Sequence, residues 1–230
     1  MESSAIIELI KKKAFNGFTS LLRSLRLSIK AVVFDYGQVI SFPQDPAVLD
    51  RLAERAGVSR EKFESVIWVL RAEFDRGTIT AKEYYHNILS ALDVNLDEKT
   101  MDKMIEMDFE SWRNINPATE ALMEDVKKAG YILGILSNMP HEFLGWARKN
   151  VPAFQLPHIS VFSCEANSIK PEEAIYHKLI SLAGVKPEEI VFFDDNSENV
   201  KCACALGMVA FIWTNPEDAK KELLALGVKL

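Results

Sequence analysis

The chain has 230 residues, 48% of them hydrophobic, and a formal net charge of −6. This size allows one substantial hydrophobic core and a smaller second one. The acidic balance argues against nucleic acid as a partner, because phosphate-backbone binding needs a basic surface. No apolar run reaches the ~20 residues that cross a bilayer, and no signal-peptide cleavage pattern is present. We therefore expect a soluble, cytoplasmic protein.

Residues 1–29 are predicted to form a basic amphipathic extension. Apolar residues recur at helical spacing, at Ile7, Ile10, Ala14, Phe18, Leu21 and Leu25. From Leu9 to Lys30, every charged residue is basic. Three hypotheses remain open for this segment: a helix that contacts a membrane surface or a partner, a targeting presequence, or a helix that packs on the domain with a solvated basic face.

Residues Ala31 to Asp35 form an apolar run that ends in a carboxylate and is soon followed by Gly37. The paired valines and the short length favour a buried parallel strand. Open α/β sheets bind ligands at the carboxyl ends of such strands. Asp35 is therefore either a functional acid at that edge or a solvated acid in a turn.

Residues 46–115 show no strand-like alternation and are predicted to form a run of helices. Four helix starts are expected, at Pro46, Ser59, Thr80 and Asp97. Asp75 and Arg76 fall in a predicted turn, where they either face a substrate or end a helix. Trp68 and Trp112 are expected to be packing residues.

From Asn116 onward, predicted helices and strands alternate. The strands are expected near residues 131–136, 159–162, 190–193 and 208–213. Alternation of this kind is typical of a doubly wound, Rossmann-like α/β fold, in which helices cover both faces of a parallel sheet.

Several predicted strands end in chemically useful groups. Asp35, Ser137 and the pair Asp194-Asp195 follow three different strands, and Lys170 lies just before a helix. Because parallel strands bring their carboxyl ends to one edge of the sheet, these residues are expected to meet. Clustered carboxylates are suited to Mg²⁺, which prefers oxygen ligands.

These motifs, in this order, resemble the haloacid dehalogenase (HAD) superfamily of hydrolases, many of which use an aspartate as a phosphate-attacking nucleophile. The resemblance covers residues 30 to about 215. It implies a catalytic core at residues 30–43 and 116–230, with an all-helical cap at 44–115 inserted between the first and second motifs. The motif residues Ser137-Asn138, Lys170-Pro171 and Asp194 to Asn199 look like the small-molecule phosphatases, including sugar-phosphate phosphatases.

The resemblance implies a Mg²⁺-dependent phosphatase that acts on a small phosphate ester. Asp35 would attack phosphorus to form an aspartyl-phosphate, and Lys170 would neutralise the phosphoryl charge. Phosphate binding is assigned to Ser137, Asn138, Lys170, Gly37 and Gln38. The metal is assigned to Asp35, the Gly37 carbonyl, Asp195 and Asp194, the last through water or hydrogen bonds. Asn199 would support the acidic loop.

The chain departs from the family pattern at Gly37, where most phosphatase members carry an acid–base aspartate. A positioned general acid–base group contributes typically about 100- to 10,000-fold to a rate. Some similar sugar-phosphate phosphatases also have glycine there. Two alternatives to the phosphatase therefore stay open: a phosphate-binding pseudoenzyme with little or no activity, and a 2-haloacid dehalogenase, which needs no metal.

Overall fold

The structure, a computed structural model, describes residues 28–230. Almost all of the basic segment predicted for residues 1–29 therefore lies outside the described residues, and the hypotheses for it stay predictions. Between residues 28 and 230, no helix combines the length and the apolar character that crossing a bilayer requires.

Within the described residues, five strands form one parallel sheet in the order β3-β2-β1-β4-β5. The strands are β1 (Ala31–Phe34), β2 (Ile132–Ser137), β3 (Ile159–Phe162), β4 (Ile190–Asp194) and β5 (Val209–Ile212). All four residues of the central strand β1 are buried. The predicted doubly wound α/β fold and the strand that leads to Asp35 are both confirmed.

A group of helices lies between β1 and β2 along the chain. They are α1 (Pro46–Ala56), α2 (Arg60–Ile67), α3 (Arg71–Arg76), α4 (Ala81–Ala91) and α5 (Glu98–Ser111). Their apolar faces share a separate hydrophobic cluster that includes Phe63, Phe74 and Tyr84. The chain enters and leaves this helical region side by side, where Ser41 and Ile115 form an antiparallel bridge. Its status as a separate cap domain stays a prediction.

The segment around α3 differs from the sequence-based expectation. The pattern predicts one helix that runs past Val69 and then a turn at Asp75, whereas the chain turns after Ile67 and starts a new short helix at Arg71. Val69 is 76% exposed, while Phe74 is fully buried in the cluster. The break thus turns Phe74 inward, and Asp75 lies in the last turn of α3 rather than in a loop.

The remaining helices pack on the two faces of the sheet. They are α6 (Pro117–Lys128), α7 (His141–Asn150), α8 (Ser163–Ala166), α9 (Glu173–Ala183), α10 (Ser197–Ala205) and α11 (Pro216–Ala225). Successive side chains of β1 point to opposite faces of the sheet, as the pleat of a strand requires. Val32 and Phe34 join the cluster with α6, α7 and α11, while Ala31 and Val33 join the cluster with α9 and α10.

Candidate active site

The register of the parallel strands brings the predicted site residues to one edge of the sheet. Phe34 of β1 is level with Ile135 of β2 and Phe193 of β4. The residues that follow therefore emerge side by side, at Asp35, Ser137, Asp194 and Asp195. Lys170 reaches the same edge from the segment between α8 and α9. The meeting of these groups, expected from sequence, is present in the structure.

Lys170 is buried between two carboxylates. Its Nζ lies 2.8 Å from Oδ1 of Asp35 and 2.6 Å from Oδ2 of Asp194, and it donates a hydrogen bond to the Leu136 carbonyl at 3.1 Å. The side chain is only 1% exposed. Burying a cation is costly unless it is paired and hydrogen-bonded, and here the ammonium has three acceptors for its three protons. Lys170 thus ties together the ends of β1, β2 and β4.

Asp194 is fully buried and bonded on both oxygens. Besides Lys170, the Asn196 N–H donates to its Oδ1 at 2.8 Å. Nδ2 of Asn199 lies 3.0 Å from Oδ1 and 3.1 Å from Oδ2. These donors compensate the buried charge, as a carboxylate in this position requires. Asp194 is therefore better suited to holding the lysine and the acidic loop than to offering a free oxygen.

Ser137 and Asn138 follow β2 directly. The buried Ser137 hydroxyl makes one long hydrogen bond, to the Asn138 carbonyl at 3.4 Å. The Asn138 side chain is engaged with the backbone of Lys170: its Nδ2 donates to the Lys170 carbonyl at 3.0 Å, and its Oδ1 accepts from the Lys170 N–H at 2.7 Å. This pair of bonds positions Lys170, and the Ser137 hydroxyl remains available to a ligand.

The loop after Asp35 places its unusual backbone conformation at Gln38, not at Gly37. Gly37 has φ −62° and ψ 130°, which any residue can adopt, whereas Gln38 has φ +60°. A Cβ on residue 37 would lie 3.6 Å from Cζ3 of Trp112, an ordinary van der Waals contact. Nε2 of Gln38 donates to Oδ2 of Asp195 at 2.6 Å. The backbone therefore does not demand glycine at position 37.

Three carboxylates at this edge form a group that fits a divalent cation. Asp35, Asp194 and Asp195 each offer an oxygen, and these oxygens all lie within 4.8 Å of one another. Mg²⁺ is usually bound by oxygen ligands, of which only one or two come from protein carboxylates. Because Asp194 is engaged with other donors, the oxygens of Asp35 and Asp195 are the accessible ones.

The electrostatics of the site reflect this crowding of acids. The pKa of Asp35 is raised to about 7, mainly because the carboxyl group is buried. The neighbouring charges of Asp194 and Asp195 raise this pKa further, while Lys170 lowers it. The pKa of Asp195 is raised by burial and by Asp194. Burial opposes the charge of Lys170, but attraction to Asp35 and Asp194 leaves its pKa raised. A cation bound here would relieve the repulsion among the carboxylates.

A cavity of about 300 Å³ opens at this edge, between the sheet and the helical region. The helical region and the segment after it contribute Trp68, Arg71, Asp75, Phe109 and Trp112 to its walls. Trp68 and Trp112, which the sequence predicts to be packing residues, thus also line the cavity. Arg71 is not singled out by sequence, although its spacing of four residues from Asp75 is a helical ion-pair signal. Arg76 instead pairs with Glu172 outside the cavity.

Fold and site together define a Rossmann-like α/β protein whose candidate functional groups lie at the carboxyl ends of the strands. The family model for haloacid dehalogenase-like hydrolases matches residues 29–207, so the chain belongs to this family.

The chain is similar to two named proteins and shares its fold with a solved structure. It is 26% identical over 220 residues to bifunctional epoxide hydrolase 2 of Mus musculus, covering 86% of this chain but only 38% of the mouse protein. It is 28% identical over 181 residues to (S)-2-haloacid dehalogenase 4A of Burkholderia cepacia, covering 74% of this chain and 76% of that one. A solved HAD family enzyme of Bacteroides thetaiotaomicron, bt-2542 in complex with magnesium and inorganic phosphate, shares the fold, with TM-score 0.64 and 23% identity over 81% of this chain and 94% of that one.

Proposed function

We propose that the protein is a Mg²⁺-dependent phosphatase that hydrolyses a small phosphorylated metabolite, such as a sugar phosphate, in the cytoplasm. The observation that carries this proposal is the buried Lys170, held between Asp35 and Asp194 with Asp195 beside them. A lysine among acids that also suit a divalent cation can neutralise a phosphoryl group. The magnesium and phosphate bound by bt-2542 support the same assignment.

In this proposal, Asp35 is the nucleophile. Its Oδ1 is held by Lys170 at 2.8 Å and by the Tyr36 N–H at 2.7 Å. No donor among residues 28–230 bonds to Oδ2, which leaves that oxygen accessible from the cavity side of the sheet edge. Attack on phosphorus would form an aspartyl-phosphate and split one displacement into two easier ones. Water would then release phosphate and restore the carboxylate.

The other site residues have binding and supporting roles in this proposal. Asp35, the Gly37 carbonyl and Asp195 would hold Mg²⁺, with Asp194 and Asn199 supporting the loop. When bound, Mg²⁺ would neutralise phosphoryl charge and keep Asp35 ionised. Ser137, Asn138 and Gln38 would contact phosphate oxygens, and Lys170 would stabilise the charge that develops in transfer.

Two other functions remain as competing candidates. The similarity to a haloacid dehalogenase over 74% of the chain favours a metal-independent 2-haloacid dehalogenase. Gly37 favours a pseudoenzyme that binds phosphate without turnover. Both share Asp35 and Lys170 with the phosphatase, so the geometry of those two residues does not separate them. The acidic pair Asp194-Asp195 favours the phosphatase, because together with Asp35 it forms a group of carboxylate oxygens that fits a divalent cation.

The test is a substrate panel with and without metal. We expect purified protein with Mg²⁺ to release phosphate from at least one phosphorylated sugar, nucleotide or organic acid. Excess chelator should abolish this turnover, and added Mg²⁺ should restore it. Full activity in excess chelator, or halide release from a 2-haloacid, would favour the dehalogenase. Binding of Mg²⁺ and phosphate without turnover of any ester would identify a pseudoenzyme.

A further inference from the structure

The core offers no carboxylate at Gly37, but the helical region brings one to the same cavity. Resting on the proposed function, we infer that Asp75 of α3 is the general acid and base of the reaction. It would protonate the leaving oxygen in the first step and deprotonate the attacking water in the second. Three features of the structure carry this inference: the docking of α3, the environment of the Asp75 carboxyl group, and the chemistry of the other groups in the cavity.

The end of α3 is held closely against the core. Gly77 has φ +79°, and a Cβ there would lie 2.7 Å from Nε2 of His141 and 2.8 Å from Cβ of Cys164, so a side chain would collide. The hydroxyl of Ser163, in α8, donates a hydrogen bond to the Asp75 carbonyl. These contacts fix the backbone of Asp75 relative to the strand ends, as a catalytic group requires.

The Asp75 carboxyl group is largely buried, with a side chain that is 13% exposed. Its Oδ1 accepts from Nε of Arg71 at 2.8 Å, while Nη1 of Arg71 lies 3.8 Å from Oδ2 of Asp108. The Arg71 guanidinium thus pairs with two carboxylates, those of Asp75 and Asp108. No donor among residues 28–230 bonds to Oδ2 of Asp75, so this oxygen can carry a proton. Burial raises the pKa of Asp75; Arg71 and Lys170 lower it, Asp108 raises it, and the net direction is upward.

The other groups near the cavity are poor candidates for proton transfer. Of the described residues, only Asp35, Asp75 and Asp195 line the cavity with a carboxyl group, and the proposed function already uses two of them. Gln38 has no acidic proton. The Tyr36 hydroxyl donates to the Trp112 carbonyl at 2.7 Å, and burial raises its pKa. His141 contacts the region of Gly77 and does not line the cavity.

The two steps balance with Asp75 as the only proton carrier. In the first, an Asp35 oxygen forms a bond to phosphorus, the bond from phosphorus to the leaving oxygen breaks, and the proton of the Asp75 carboxyl group moves to that oxygen. In the second, Asp75 takes a proton from water, the water oxygen bonds to phosphorus, and the bond between phosphorus and Asp35 breaks. The alcohol and phosphate leave, and both carboxyl groups return to their starting states.

The experiment compares Asp75→Asn with wild type on two esters: para-nitrophenyl phosphate, whose leaving group needs no proton, and a sugar phosphate. We expect kcat on the sugar phosphate to fall by about 100- to 10,000-fold. On the aryl ester the first step should survive while the second slows, giving a burst of nitrophenolate and an accumulated phosphoenzyme. The matched control is Asp108→Asn, which removes the other carboxylate beside Arg71. Asp108 does not line the cavity, so this variant should show no burst.

A rescue variant separates chemistry from folding. Adding Gly37→Asp to the Asp75→Asn protein restores a carboxylate near Asp35, which the backbone and the 3.6 Å space to Trp112 permit. We expect it to recover turnover of the sugar phosphate and to remove the burst, while Asp75→Glu should retain more activity than Asp75→Asn.

The failures are distinguishable. If Asp75→Asn keeps wild-type rates, the role of Asp75 is overturned and the proposed phosphatase is not. The same holds if Asp75→Asn loses equal activity on both esters and shows neither a burst nor rescue. A folded wild-type protein that hydrolyses neither these two esters nor any other member of the panel overturns the phosphatase and, with it, the role of Asp75.

Discussion

Arg76 and Glu172 form a bidentate ion pair that joins the end of α3 to the segment carrying Lys170. Nη1 of Arg76 lies 2.9 Å from Oε2 of Glu172, and Nη2 lies 2.7 Å from Oε1. Glu172 also accepts from the Ser168 hydroxyl at 2.9 Å and the Ile169 N–H at 3.2 Å. One carboxylate thus orders the loop before Lys170 and anchors the helical region to the core.

This arrangement gives a prediction about acid stability. Hydrogen bonds from Arg76, Ser168 and Ile169 lower the pKa of Glu172 from 4.5 to about 2. Because the folded pKa lies below the unfolded one, the stabilisation is fully present above about pH 4.5 and is lost as the pH falls toward about 2. In Arg76→Ala, the pKa of Glu172 should rise toward 4.5 but stay below it, since Ser168 and Ile169 remain.

An NMR titration of the Glu172 carboxyl carbon measures this shift directly. The effect on unfolding free energy should be small, about 0.2–1 kcal/mol, because the pair is partly exposed. Arg60→Ala is the control, since Arg60 pairs with Asp50 and Glu64 elsewhere on the surface. An unchanged pKa of Glu172 in Arg76→Ala would show that the ion pair does not persist in solution.

Lys170→Ala should lower the rate of turnover by at least about 100-fold, because transition-state charge loses its stabilising cation. It should also destabilise the fold, by about 3–5 kcal/mol, since Asp35 and Asp194 then face each other without their shared partner. Steady-state kinetics and chemical denaturation test the two effects. Lys178→Ala, which removes an exposed lysine bonded to the Glu165 carbonyl, should change neither. A near-normal rate in Lys170→Ala would remove the lysine from the mechanism.

Asn199→Ala tests the support of the acidic loop. Losing Nδ2 deprives both oxygens of the buried Asp194 of a donor, which should cost about 1–3 kcal/mol of stability. If Asp194 orients the metal site, apparent Mg²⁺ affinity should also weaken by about 10- to 100-fold, as read from activity against Mg²⁺ concentration. The control is Asn150→Ala, whose side chain bonds the Trp146 carbonyl at the surface. Lost stability with unchanged Mg²⁺ affinity would limit Asn199 to a structural role.

Much of the core arrangement follows from the sequence. Short apolar runs that end at Asp35, Ser137 and Asp194 are sufficient to predict parallel strands, and a parallel sheet places their ends at one edge. The helix start predicted at Thr80 likewise forms, with a capping box between Thr80 and Glu83. These features depend on contacts within a few residues or on a general rule of sheet geometry.

The cavity walls do not follow from the sequence, because they depend on how the helical region docks on the core. Arg71 and Asp75 reach the cavity only because the chain breaks after Ile67 and restarts as α3. The restarted helix buries Phe74 in the hydrophobic cluster of the helical region, a tertiary contact that a helical periodicity does not encode. Similarly, the positive φ lies at Gln38 rather than at the neighbouring glycine, since the loop conformation is set by its hydrogen bonds to Ser41 and Asp195.

The most direct test of the central claim is to look for the phosphoryl group on Asp35. Protein mixed with Mg²⁺ and a phosphate ester would be quenched in acid within the first turnover, and its peptides analysed by mass spectrometry. We expect one phosphoryl group on the peptide that contains Asp35, dependent on Mg²⁺ and absent from Asp35→Asn. Phosphate release without any phosphorylation of Asp35, or alkylation of Asp35 by a 2-haloacid without metal, would contradict the account.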